Sequence, residues 1–200
     1  IGEFNLMNAI QAVAILYEFG FSLRDLSHAI ASFPGVPGRM ERIIIPSSNH
    51  KASLPHVIVD YAHTPDGLEN VLKSIRKLCK GKLITVFGCG GDRDKTKRAL
   101  MGSISERLSD LSFITSDNPR SEDPQSIVND ILTGIRDMKK VAIFIDRFMA
   151  IKNAINIASA NDIVLLAGKG HEDYQILRDK TIDFDDRKIA KDLLIEKNKL

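Results

Sequence analysis

The stretch "KLITVFGCGGDRDKTKR", residues 82–98, runs from a short apolar segment into a glycine-rich turn and out into a basic, helix-prone segment. A continuous apolar run of this length is what a strand buried on both faces requires, and a helix from about Lys95 to Leu108 would cover one of those faces. The same unit recurs on either side. "HVIVD" (56–60) leads into "TPDGLENVLKSIRKLC" (64–79), where Thr64 is a cap, Pro65 takes the first helical position, and Leu68, Val71, Leu72, Ile75 and Leu78 form a stripe of helical spacing. "LSFITS" (111–116) precedes a helix predicted over about 124–138, and "VAIFID" (141–146) precedes one over about 147–158. "DIVLLAG" (162–168) leads to a hairpin, "YQILRDKTIDF" (174–184), and a last helix near 186–196, while "MERIII" (40–45) reads as a further strand. Strands and helices alternating in this way predict an α/β fold: a doubly wound, Rossmann-like, mostly parallel sheet with helices on both faces, spanning residues 39–200.

Upstream, a helix carries Leu6, Ala9, Ile10, Val13 and Leu16 on one stripe, with Asn5 as its N-cap candidate and Gly20 as its stop. "SLRD" (22–25) opens a second helix, to about Phe33, with the Ser and acid of a capping box. "PGVPGR" (34–39) then breaks the pattern, so residues 1–38 are expected to form a unit separate from 39–200. There is no initiating Met, and a segment is expected before Ile1.

Charge narrows the function. Lys plus Arg number 28 against 26 for Asp plus Glu, interspersed, with no basic run, which argues against nucleic acid as a partner. Neither a spanning apolar segment nor a signal peptide is present, so no membrane insertion and a cytoplasmic location are expected. Cys79 and Cys89 lack the spacing of a disulfide framework or metal site and read as reduced thiols.

In an open parallel sheet, ligands bind beyond the carboxyl ends of the strands. Five strands here exit into "DYAH", "GCGGDRD", "SDNPR", "DR" and "GKGHED", which brings Arg93, Asp117, Arg120, Lys169 and Glu172 to one edge. Turn chemistry accounts for the prolines and glycines but not for that convergence of charge. "GCGGDR" departs from the dinucleotide pattern G-x-G-x-x-G at its last position, where Arg93 stands, so NAD is not expected. The phosphate-loop pattern G-x-x-x-x-G-K-[ST] is absent from the chain. His63 and His171 stand near acids without the spacing of a third metal ligand, and by periodicity alone Asn5 and Asn8 are a cap and a surface amide.

"FNLMNAIQA", "GRME", "VDYAHTPD", "FGCGGDRDKTKR", "DNPRSEDP" and "AGKGHEDYQI", in this order from residue 4 to residue 176, closely resemble the Mur ligase family, in its branch that adds meso-diaminopimelate. The resemblance implies that residues 1–38 are the last helices of a central ATP-binding domain, and that 39–200 are the C-terminal Rossmann-like domain that binds the incoming amino acid. It implies an ATP- and magnesium-dependent amide-forming ligase of peptidoglycan precursor synthesis, acting on meso-diaminopimelate and a UDP-N-acetylmuramoyl dipeptide. The N-terminal and central domains would be its missing partners, and this chain alone would be inactive. By the same resemblance Asn5, Asn8, Arg39 and Asp60 belong to the nucleotide side, with His63 in the same loop. Arg93, Asp117, Asn118, Pro119, Arg120, Gly168 and Glu172 belong to the amino-acid pocket. The alternatives are a lysine-adding or folylpolyglutamate-type relative, a non-catalytic amino-acid- or nucleotide-binding module, and an NAD-linked oxidoreductase.

The pocket chemistry is coherent with that implication. The far end of meso-diaminopimelate carries a carboxylate and an ammonium, so its pocket needs both signs of charge. Guanidinium groups grip carboxylates bidentately, and Asp117 and Glu172 can accept ammonium protons.

Overall fold

A computed structural model describes residues 3–45 and 54–199. The chain divides into two compact units, residues 1–36 and 37–200, within the "PGVPGR" stretch.

The first unit holds α1 (Glu3–Glu18) and α2 (Leu23–Ser32). Gly20, at φ +91°, ends α1 with its N–H donating to the Tyr17 carbonyl at 2.9 Å. The Ser22 hydroxyl caps α2 by accepting from the Asp25 N–H at 3.1 Å, as "SLRD" predicts. Asn5 is not a cap: α1 already begins at Glu3, so the amide sits inside the first turn. Leu6, Ala9, Ile10, Val13, Tyr17, Leu23 and Ile30 line an apolar groove between the helices.

The second unit is built on a six-stranded sheet. Its strands are β1 (Glu41–Arg42), β2 (His56–Asp60), β3 (Leu83–Phe87), β4 (Leu111–Thr115), β5 (Val141–Phe144) and β6 (Ile163–Ala167), in the order β1-β2-β6-β3-β4-β5. All pairings are parallel except β1 with β2, at the edge. Helices α3 (Pro65–Arg76), α4 (Thr96–Leu108) and α5 (Pro124–Leu132) pack side by side, while α6 (Arg147–Ile157) packs with α7 (Asp186–Lys197). The reason is topological. Parallel crossovers are right-handed, so the helices following β2, β3 and β4, which step one way along the sheet, share a face. The connection from β5 back to β6 steps the other way and carries α6 to the opposite face.

Period-two alternation divides the strand side chains accordingly. Val57, Val59, Ile84, Val86, Phe113, Val164 and Leu166 join Ile151, Ile155, Leu193 and Leu194 in one core. On the other side, two buried hydroxyl pairs are mutually satisfied: Ser105 with Ser112 and Thr85 with Ser109, both at 2.7 Å.

Three expectations change. The helix expected to reach 138 ends at Leu132, just ahead of Gly134, a residue poorly suited to a helix interior; Gly134 packs closely on α4 at the Ala99 carbonyl, and a short 3-10 turn, Met138–Lys140, follows. Leu78 is exposed, since α3 ends at Arg76 and the stripe loses its helix. "MERIII" yields only a two-residue edge strand, with Ile44 exposed. Beyond β6, the hairpin β7 (Tyr174–Ile176) and β8 (Thr181–Asp183) forms as predicted.

Candidate functional site

The strand order sets β6 between β2 and β3, so the "GKGHED" loop emerges between "DYAH" and "GCGGDRD", with "SDNPR" next along the edge. This is the reversal in winding where parallel α/β sheets open a crevice.

Arg120 follows Pro119 in a left-handed conformation, φ 51°, fixed by its N–H donating to the Ile176 carbonyl at 3.1 Å. Its Nη1 donates to the Gly91 carbonyl at 2.9 Å, locking "SDNPR" onto the loop after β3. Gly90 lies between the two site arginines: a Cβ there would stand 2.9 Å from Arg120 Nη1 and 3.7 Å from Arg93 Cγ. Arg93 itself is exposed and donates to the Asp92 carbonyl at 3.0 Å. Among the described residues neither arginine is within ion-pair distance of a carboxylate, although Asp92 is close enough to Arg120 for their charges to interact.

Asp117 is buried, with Oδ1 accepting the Asn118 N–H at 2.7 Å. A Cβ on Gly168, at φ +112°, would come within 2.7 Å of Asp117 Oδ2, so only glycine lets the two loops meet. Asn118, Lys169 and Glu172 close a triangle. The Asn118 Nδ2 donates to Glu172 Oε2 at 2.9 Å, and Lys169 Nζ reaches both Asn118 Oδ1 and Glu172 Oε2 at 3.2 Å. The Ile176 N–H donates to Asn118 Oδ1 at 3.0 Å and fixes which way the amide faces.

Of the residues expected on the nucleotide side, Arg39, Asp60 and His63 belong to the second unit. Asp60 is 4% exposed and ties the residues after the interdomain stretch to the sheet, accepting the Met40 and Ala62 N–H groups, each at 2.8 Å. Burial pushes its carboxyl up, against the pull of those two N–H groups and of Arg39. The consequence is positional: Arg39 lies over the Tyr61 ring at 4.6 Å, and Tyr61 also contacts His63 and His171, with ring centroids at 4.5 and 5.3 Å. His63 Nδ1 is 2.9 Å from the Tyr61 carbonyl oxygen, and Lys97 donates to the His63 carbonyl. Asn5 and Asn8 belong to the first unit, both on α1.

Sequence reading missed the residues that hold the loops in place. Arg98, fully buried, pairs with Glu122 through both terminal guanidinium nitrogens, Nη1 and Nη2, at 3.0 and 2.8 Å and with Asp130 at 2.9 Å. Arg98 above all, with help from the Asp92 N–H and Lys95, holds the Glu122 carboxyl down to about 2. Arg147 and Asp186, both fully buried, form a bidentate pair at 2.9 and 2.7 Å, and Arg147 also donates to the Ala167 carbonyl at 3.0 Å, at the end of β6. Burial works against the Arg147 charge, but Asp186, with Asp117 and Glu172 behind it, outweighs burial. Arg98 shares helical spacing with buried Met101, Gly102 and Ser105, which is a legible signal. Arg147 and Asp186 lie 39 residues apart with no local signal.

A family model described as "Mur ligase, glutamate ligase domain" matches residues 38–170. The chain belongs to the Mur ligase family. A UDP-N-acetylmuramoyl-L-alanyl-D-glutamate–2,6-diaminopimelate ligase from Prochlorococcus marinus subsp. pastoris is 69% identical over 199 residues, covering 100% of this chain and 39% of its own length. One of the same name from Trichormus variabilis is 52% identical over 200 residues, 40% of its length. A solved structure of a ligase with that name superposes with a TM-score of 0.75 at 39% identity, covering 98% of this chain and 39% of that one. The chain thus spans about two-fifths of the length of these relatives. The Mur ligase fold accounts for the mostly parallel sheet covered on both faces.

Among the described residues no group of three His, Cys, Asp or Glu side chains is placed to hold a metal ion, and no helix is long and apolar enough to cross a membrane.

Proposed function

We propose that this chain is the amino-acid-binding part of a cytoplasmic, ATP-dependent ligase that joins meso-diaminopimelate to UDP-N-acetylmuramoyl-L-alanyl-D-glutamate in peptidoglycan precursor synthesis. Residues 1–38 would belong to the central ATP-binding domain and residues 39–200 to the C-terminal domain. The observation that carries the reading is the juxtaposition, at one sheet edge, of Arg93 and Arg120 without ion pairs and the acids Asp117 and Glu172. That arrangement suits an amino-acid end bearing both charges and is poorly matched to an uncharged or purely cationic one.

In this reading the D-glutamate side-chain carboxylate is activated by transfer of a phosphoryl group from ATP, and the diamino acid's free α-amine displaces phosphate to form the amide. The chain's own residues orient the amine donor: Arg120, with Arg93 beside it, takes the far carboxylate, while Asp117 and Glu172 accept ammonium protons, and Gly168 allows close approach. Asn118 and Pro119 shape the loop rather than supply charge. On the nucleotide side, the Arg39–Tyr61–His63 surface suits a base or phosphate, whereas Asp60, its two oxygens engaged by backbone N–H groups, would act by placing Arg39. Magnesium would accompany the phosphates of ATP in the full-length enzyme.

The test is Arg120→Ala in the full-length ligase. Losing a charge-assisted contact costs about 1.5–3 kcal/mol, so the KM for meso-diaminopimelate should rise roughly 10- to 150-fold with the ATP and dipeptide values unchanged. Arg120→Lys should recover little, because a single ammonium lacks the bidentate geometry. Weakened ATP binding with diaminopimelate use intact would defeat the reading.

A further inference from the structure

Lys169 is a lysine with 0% of its side chain exposed, set in the wall of the loop cluster beneath a partly accessible acid. Fully buried lysines are rare and are retained where the charge is paired. Its ammonium lies 3.2 Å from Glu172 Oε2 and 3.2 Å from Asn118 Oδ1, and 5.6 Å from the centre of the Tyr174 ring. Asn118 is itself fixed by the Ile176 N–H and donates its Nδ2 to the same Glu172 oxygen. Among the described residues both side-chain hydrogen bonds to the Glu172 carboxylate fall on Oε2 and none falls on Oε1, on a side chain that is 17% exposed.

We infer that Lys169 is a positioning residue: with Asn118 it grips Glu172 Oε2, so that Oε1 is held ready for the ammonium of the incoming diamino acid. The inference rests on the reading of this loop cluster as the amino-acid pocket.

The experiment is a double-mutant cycle in the full-length ligase with Lys169→Met, Glu172→Gln and the double variant, reading kcat and KM for each substrate together with the thermal midpoint. Lys169→Met is expected to raise the KM for meso-diaminopimelate roughly 10- to 100-fold, the size of one charged hydrogen bond, with the KM values for ATP and dipeptide unchanged. The double variant is expected to match Glu172→Gln alone, because a residue acting through Glu172 has nothing left to position. If Lys169→Met fails to fold, the double variant, which leaves no buried charge unpaired, carries the comparison with Glu172→Gln. Multiplying effects, or a common rise in all three KM values, would overturn the inference. If neither Glu172→Gln nor Arg120→Ala moves the diaminopimelate KM, it is the assignment of the pocket that fails.

Discussion

Glu122 joins the two loops that frame Arg120, so its replacement tests whether the site is built on a buried charge network. It accepts two bonds from Arg98, one from the Asp92 N–H and a contact from Lys95 at 3.1 Å. Its carboxyl is held down from an ordinary 4.5 to about 2, with Arg98 the main cause. Taken at face value this amounts to roughly 3 kcal/mol at ~1.4 kcal/mol per tenfold. Water reaches the carboxylate, whose side chain is 15% exposed, and screening reduces the charge contribution to about 1–2 kcal/mol. Glu122→Gln also leaves Arg98, which is fully buried, with Asp130 alone, a partner 47% exposed. The total loss at neutral pH should then be roughly 2–4 kcal/mol, below the full cost of orphaning a buried charge. The sign with pH follows from linkage: the folded-state value is depressed, so the contribution is complete above about pH 4.5 and is lost as pH falls toward and through about 2. Urea denaturation of the 200-residue chain, followed on the second unit across this range, should show wild type and Glu122→Gln far apart at neutral pH and converging below about pH 3. A difference at neutral pH under ~0.5 kcal/mol, or identical pH slopes, would refute the reasoning.

Arg147→Met or Asp186→Asn, each breaking a fully desolvated pair, should cost roughly 3–5 kcal/mol, while the double replacement Arg147→Met with Asp186→Leu should recover much of it; urea midpoints of the three variants check this. Gly38→Ala should destabilise the second unit by at least about 1–3 kcal/mol, since φ is +68° and a Cβ would stand 2.1 Å from the His171 nitrogen; a thermal midpoint within error of wild type would contradict it. Limited proteolysis should cut "FPGV" (33–36) before Gly38–Met40, because Gly38 donates to Glu41 and Met40 donates to Asp60; mass spectrometry of the first fragments decides.

The alternation of apolar runs with amphipathic helices determined the class of fold, because strand burial on two faces and helix burial on one leave different periods in the sequence. "SLRD", Thr64–Pro65 and Gly20 likewise marked helix ends locally, since caps and left-handed glycines act within a few residues. The motifs also carried the family and the loops that meet at the sheet edge. Tertiary structure alone decided how those loops are held. That Asp60 serves the backbone, that Lys169 shares an oxygen of Glu172 with Asn118, and that Arg147 meets Asp186 all depend on groups brought together across the sheet. Local propensity is written in neighbouring residues, whereas the pairing of buried charges is set by strand order, and that order emerges only when the chain winds back from β5 to β6.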